Sequence, residues 1–92
     1  MATFIARVEL HAATDDDYEV LHAQMKKRGY TRTIVGDNKV TYQLPTGTYE
    51  LGSNVSLEDA LKRAVEAANA TGKTSAIIVA EYSAALWRLT AA

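Results

Sequence analysis

A chain of 92 residues with 48% hydrophobic and 23% charged side chains describes a single soluble globular domain spanning 1–92, not a disordered tail or a membrane span. A net charge of -1 argues against a strongly basic nucleic-acid coat protein and leaves room only for a local basic patch. The absence of cysteine excludes disulfides and thiolate metal sites. A chain of this size buries about 60–65% of its unfolded surface, so it gains from association, and a homodimer is expected. No apolar run reaches the roughly 18 residues a membrane span needs, and the N-terminus lacks a basic region followed by an apolar one. The expectation is a cytoplasmic protein with no membrane partner.

Thr3 to His11 alternates with the period of two of a strand. Phe4, Ala6, Val8 and Leu10 share a core face; Ile5, Arg7, Glu9 and His11 share a face turned to water, a partner or a ligand. Thr14 is placed to cap a helix whose first turn holds Asp15, Asp16 and Asp17, complementing the positive end of the helix dipole. Tyr18, Leu21, His22 and Met25 fall on one stripe of it, Lys26, Lys27 and Arg28 crowd its last turn, and Gly29 stops it. Tyr30–Val35, the turn cluster Gly36-Asp37-Asn38 and the alternating Val40, Tyr42 and Leu44 predict a β-hairpin that Pro45 ends. Thr46–Asn54 reads as a loop or a short edge strand. Ser56 with Asp59 has the spacing of a capping box, opening an amphipathic helix on Leu57, Leu61, Ala64, Val65 and Ala68 that Gly72 closes. The apolar run within Thr74–Tyr82 fits a strand buried on both faces or paired in an oligomer.

The succession strand, helix, strand, strand, helix, strand predicts an α+β fold of ferredoxin-like βαββαβ type. In that fold two helices cover one face of an antiparallel sheet. The segment Ala84–Ala92, with Leu86, Trp87 and Leu89, is a candidate extra C-terminal strand at the sheet edge.

Several motif matches have simpler explanations. Thr71-Gly72-Lys73-Thr74 resembles the end of a phosphate-binding loop, but position 67 is Ala67, and a helix stop accounts for the glycine. Asn54-Val55-Ser56 and Asn69-Ala70-Thr71 match a glycosylation pattern that has no meaning without secretion. The aspartate cluster reads as a helix start rather than a cation site, and neither a metal nor a cofactor is expected.

The two histidines are the side chains that titrate near neutral pH. Phosphodiester cleavage would need His22 or His11 as general acid or base, and a cation such as Arg28, Arg32 or Arg7 for the developing charge. Lys26 and Lys27 are candidate phosphate contacts and Tyr42 a candidate stacking platform for a base. The competing readings are a partly buried structural histidine, a solvated helix end and a cross-strand tyrosine.

The succession Asp17-Tyr18-Glu19-Val20-Leu21-His22, Met25, Gly29-Tyr30 and Thr41-Tyr42-Gln43-Leu44 resembles the GhoS antitoxin family of type V toxin–antitoxin systems, over roughly Thr3 to Val79. The resemblance implies a small ferredoxin-like protein, similar in fold to small CRISPR-associated endoribonucleases, that cleaves the messenger RNA of a membrane-lytic toxin. It places His22 where the family has a functional arginine, and Tyr42 at an aromatic of the third strand.

Two functions of different class follow. The first is an RNA-binding antitoxin with metal-independent endoribonuclease activity on single-stranded mRNA, using His22, Arg28 and Arg32 for catalysis and Tyr42, Arg7, His11, Lys26 and Lys27 to hold RNA. The second is a non-catalytic dimeric adaptor or inhibitor of phage or prophage origin. It would bind a protein partner through the Arg7, Glu9, Ile77 and Val79 faces or through the Leu86-Trp87-Leu89 tail.

Overall fold

A computed structural model describes all residues, 1–92. It contains five strands and two helices: β1 (Ala2–Leu10), α1 (Asp15–Lys27), β2 (Thr33–Val35), β3 (Thr41–Gln43), β4 (Thr48–Ser53), α2 (Leu57–Asn69) and β5 (Ser75–Glu81). The α+β class, the two helices and the antiparallel pairing agree with the sequence reading. The strands, however, form two sheets: a three-stranded one in the order β4-β1-β5 and the separate hairpin β2-β3. Between them runs one isolated bridge, Thr31 to Glu50, with backbone hydrogen bonds of 2.8 and 2.9 Å in the two directions.

β1 is the central strand. It is antiparallel to β4, with Phe4 opposite Leu51 and Ala6 opposite Tyr49, and to β5, with Val8 opposite Ile77. Its core face is sealed: Phe4, Ala6, Val8 and Leu10 join Leu21 and Met25 of α1 and Ala60, Ala64, Ala67 and Ala68 of α2 in one buried cluster. Both helices therefore lie on one face of this sheet. The other face stays open, and Arg7 and Glu9 are exposed on it.

α1 is capped as its sequence predicts. Thr14 and Asp17 form a reciprocal capping box in which the Thr14 backbone N–H donates to Asp17 Oδ2 at 2.9 Å. That bond and the Thr14 hydroxyl hold the half-buried Asp17 carboxyl below its ordinary range. α2 is capped on one side only. The Asp59 N–H donates to Ser56 Oγ at 3.0 Å, but the Asp59 carboxylate turns to Arg63, also at 3.0 Å. A guanidinium one turn along competes for it, so the expected box is not closed.

Three further expectations are corrected. The buried stripe of α2 is made of alanines, while Leu57, Leu61 and Val65 are exposed. Small side chains bring the helix axis close to the sheet, and the large aliphatic row is rotated outward. β5 is an edge strand covered on one side only, which removes burial on both faces from the two readings of its run. Ile77 and Val79 pack against the core, whereas Ile78, opposite Arg7, is 68% exposed on the open face. The C-terminal segment does not extend the β1 sheet; it bridges to the hairpin through Tyr42 and Ala91. Of the loop and the short edge strand that Thr46–Asn54 allows, the chain forms the edge strand β4.

The turn from β3 into β4 sits on Gly47, which is buried at φ +83°, and its carbonyl accepts the Val8 N–H at 2.7 Å. A Cβ at this position would stand 2.5 Å from the Val8 carbonyl oxygen, whereas at Gly72, φ +77°, it would meet nothing within 4 Å. Gly72→Ala is expected to cost about 1–2 kcal/mol, the left-handed backbone penalty alone. Gly47→Ala is expected to cost clearly more, since backbone must also move. Equal shifts of the two denaturation midpoints would refute the close approach.

Candidate functional site

The first helix supplies one wall of a cavity of about 380 Å³. Glu19, His22 and Lys26 line it from α1, and Tyr30, Thr31 and Arg32 line it from the chain that follows. The spacing explains the wall. Residues 19, 22 and 26 lie three, four and seven apart, so they follow one side of the helix, adjacent to the stripe that buries Leu21 and Met25. Gly29, at φ +93°, turns the chain back so that Thr31 and Arg32 face this side.

His22 is fixed from below. Its Nδ1 lies 2.7 Å from the hydroxyl of Tyr49, a fully buried β4 residue whose phenol makes no other hydrogen bond. The ring is tilted against Tyr49 and Tyr18, with centroids 5.8 and 6.5 Å away. Tyr30 meets Tyr49 edge-on and donates its hydroxyl to the Ala60 carbonyl at 2.8 Å. Both buried phenols are thus partnered, and no buried side-chain polar atom in the chain lacks a partner. Burial pushes the Tyr49 phenol far above its ordinary range, so it stays a hydroxyl.

Two tautomers fit the His22–Tyr49 bond. With its proton on Nδ1, the ring donates to the Tyr49 oxygen and leaves Nε2 as an acceptor; with the proton on Nε2, Tyr49 donates to Nδ1 and Nε2 becomes a donor. No protein group bonds Nε2 in either case. Burial lowers the His22 pKa, the Arg32 guanidinium lowers it further, and Glu19 opposes them. The imidazole is therefore neutral at pH 7, beside two cations and one carboxylate. Such a pocket suits a single anionic group with a neutral proton acceptor or donor next to it.

Of the residues singled out in sequence, the fold brings together His22, Lys26 and Arg32. Arg28 is elsewhere. Its guanidinium folds back on Gln24, bonding the backbone carbonyl at 3.0 Å and the side-chain oxygen at 2.8 Å, with Glu66 at 3.9 Å. Lys27 is exposed in the last turn and does not line the cavity. Arg7 lies on the open sheet face. His11 lies just past the end of β1, next to Thr74 Oγ1 and Glu9, at 3.2 and 3.7 Å. Tyr42 belongs to the hairpin, edge-on to Trp87 and bonded by the Asn38 amide at 3.0 Å. Glu19 and Thr31 were missed, although Glu19 was legible from its spacing to His22 and Lys26. No group of three or more carboxylate, histidine or cysteine side chains is arranged to hold a metal, the Asp15–Asp17 run included.

Compared with known protein families and with characterised proteins, the chain matches none.

The linkage sign follows from the direction of the His22 shift. A histidine with its pKa lowered in the fold adds stability above the unfolded value of about 6.5, and that stability is lost as pH falls through the folded value. His22→Gln is expected to flatten this acid-side slope. In a proton NMR titration, His22 is expected to titrate below 6.5, moving back up in Arg32→Gln. A His22 titration at or above 6.5 would contradict the placement.

Proposed function

We propose that this protein is a ferredoxin-like, antitoxin-type RNA-binding protein that cleaves single-stranded RNA without a metal. One observation carries the reading: the fold gathers His22, Lys26 and Arg32 around one cavity. The ferredoxin-like assignment draws support from the β4-β1-β5 order and from the Thr31–Glu50 bridge. That bridge sets the chain after α1 beside β4, where this fold has its second strand. The resemblance to the GhoS family points the same way, with His22 in the place of the family's arginine.

In this reading the phosphodiester lies between Lys26 and Arg32, whose charges offset those of the non-bridging oxygens. Arg32 supplies a planar fork and Lys26 a mobile point charge. His22, in the tautomer that donates to Tyr49, takes the proton of the ribose 2′-hydroxyl on Nε2. The 2′-oxygen attacks phosphorus and the bond to the 5′-oxygen breaks. That oxygen takes up a proton, from the imidazolium or from water. The products are a 2′,3′-cyclic phosphate and a 5′-hydroxyl, and no metal enters the balance. With His22 neutral, the two cations and Glu19 leave one net positive charge, enough for one phosphate but not for a long tract. Arg28, held by Gln24, has no part in the chemistry.

A second reading, the dimeric adaptor or inhibitor that binds a protein partner, is favoured by a different observation. Ile77 and Val79, expected at that contact, pack against the core, but Ile78 is 68% exposed amid the open sheet face, and Leu57, Leu61 and Val65 form a second uncovered row.

Incubation with a mixed-sequence single-stranded RNA in EDTA separates the two. Wild-type protein is expected to leave 2′,3′-cyclic phosphate ends. His22→Ala is expected to lose about 10²–10⁴-fold in rate. Lys26→Gln and Arg32→Gln are expected to weaken binding and flatten its salt dependence, and Arg28→Gln to act like wild type. Absence of both cleavage and salt-sensitive binding in wild type would sink the RNA reading and leave the adaptor.

A further inference from the structure

The C-terminal segment builds a second cavity whose lining, unlike that of the His22 pocket, holds no cationic side chain. After β5 the chain crosses to the hairpin. There the Gln43 N–H donates to the Thr90 carbonyl and the Ala92 N–H to the Thr41 carbonyl, each at 2.9 Å. Trp87 stands edge-on to Tyr42, ring centroids 5.7 Å apart and planes at 63°. Between this arch, the hairpin turn and the end of β5 lies a space of about 540 Å³, with Trp87, Tyr42, Tyr82, Leu86, Asp37 and Glu50 among its walls.

Its charge is one-sided. None of its twelve lining residues is lysine, arginine or histidine. The half-buried Glu50 carboxylate accepts a hydrogen bond from the Tyr82 hydroxyl, and Asp37 has no side-chain hydrogen bond in the protein. Neither acid takes part in any of the chain's ion pairs. The cavity thus presents two unneutralised carboxylates together with three aromatic rings, whose faces carry negative quadrupole potential. A phosphate is repelled by this lining. A bare metal ion lacks the clustered hard ligands it needs. An organic cation satisfies both parts, its charge meeting the carboxylates and its alkyl or planar surface meeting the rings and the fully exposed Leu86.

We propose that this cavity is a binding site for a small organic cation, an alkylammonium or guanidinium group. The site is independent of His22 and of the RNA reading.

Trp87 is the only tryptophan in the chain, so its fluorescence reports on this cavity alone. Tetramethylammonium and guanidinium are titrated at constant ionic strength against sodium chloride and against tert-butanol, a neutral compound of similar shape to tetramethylammonium. A saturable change with either organic cation, absent with both controls, is expected. Asp37→Asn with Glu50→Gln is expected to weaken it by about tenfold or more, since the cation then loses both opposite charges. Glutamine keeps an oxygen for the Tyr82 hydroxyl, and Asp37→Asn alone, in an exposed turn, serves if the double variant is unstable. An equal response to tert-butanol or sodium, or full binding by the charge-neutral variants, overturns the proposal. Saturable binding of guanosine with no response to either cation also overturns it and reassigns the cavity to a neutral base.

Discussion

The one-sided burial of β1 is the constraint on which the rest of the structure depends. Four residues of one face, Phe4, Ala6, Val8 and Leu10, are almost wholly removed from water. Their neighbours on the other face include Arg7 and Glu9, which cannot be buried unpaired without a large desolvation cost. A one-residue slip in register would exchange these faces, so the pairing with β4 and β5 is specified by side-chain chemistry as well as by backbone bonds. With β1 fixed, both helices have only one apolar surface to cover. The alanine stripe of α2 lets it seat low on that surface.

The candidate active site inherits its precision from this core. His22 sits where the buried stripe of α1 meets its solvated side, and the group that holds it, Tyr49, is a core residue of the strand next to β1. A buried phenol needs a partner for its hydroxyl. Here the imidazole is that partner, so the same bond that completes the core orients the ring toward the cavity. A structural role and a chemical role for His22 are therefore not rivals. A partly buried histidine is what the packing requires, and the free ring nitrogen is what the chemistry would use.

The sequence made local features legible and hid those that depend on how elements meet. Alternation in β1, the Thr14 cap of α1 with its acidic first turn and the turn at Gly36-Asp37-Asn38 are written in adjacent residues and are present in the fold. In α2 the sequence places Ala64 and Ala68 correctly in the buried stripe, but hydrophobicity also favours Leu57, Leu61 and Val65, whereas the close helix–sheet approach selects Ala60 and Ala67 instead. The run in β5 allows burial on both faces or pairing in an oligomer because Ile77, Ile78 and Val79 are equally apolar; the pairing with Arg7 shows that Ile78 faces outward. Among the candidate site residues, Lys26 and Arg32 join His22 because helix spacing and the Gly29 turn bring them there. Arg28 was separated from them by a bond to Gln24, four residues away, which charge alone does not foretell. The second cavity was invisible for the same reason, since its walls come from the hairpin, β4 and the chain that follows β5.

The two cavities are set apart by the period of two in β4. Tyr49 and Glu50 are consecutive, and a strand sends consecutive side chains to opposite faces. Tyr49 reaches His22 on the helix side, beside Lys26 and Arg32. Glu50 reaches Tyr82 on the open side, beside Asp37 and the tail aromatics. Two surroundings of opposite sign thus lie one residue apart without sharing a solvent space. If both lined one face, the lysine and arginine would neutralise the carboxylates and neither cavity would keep an unpaired charge for a ligand. The strand's alternation, which first sorts apolar from polar in β1, here sorts positive from negative.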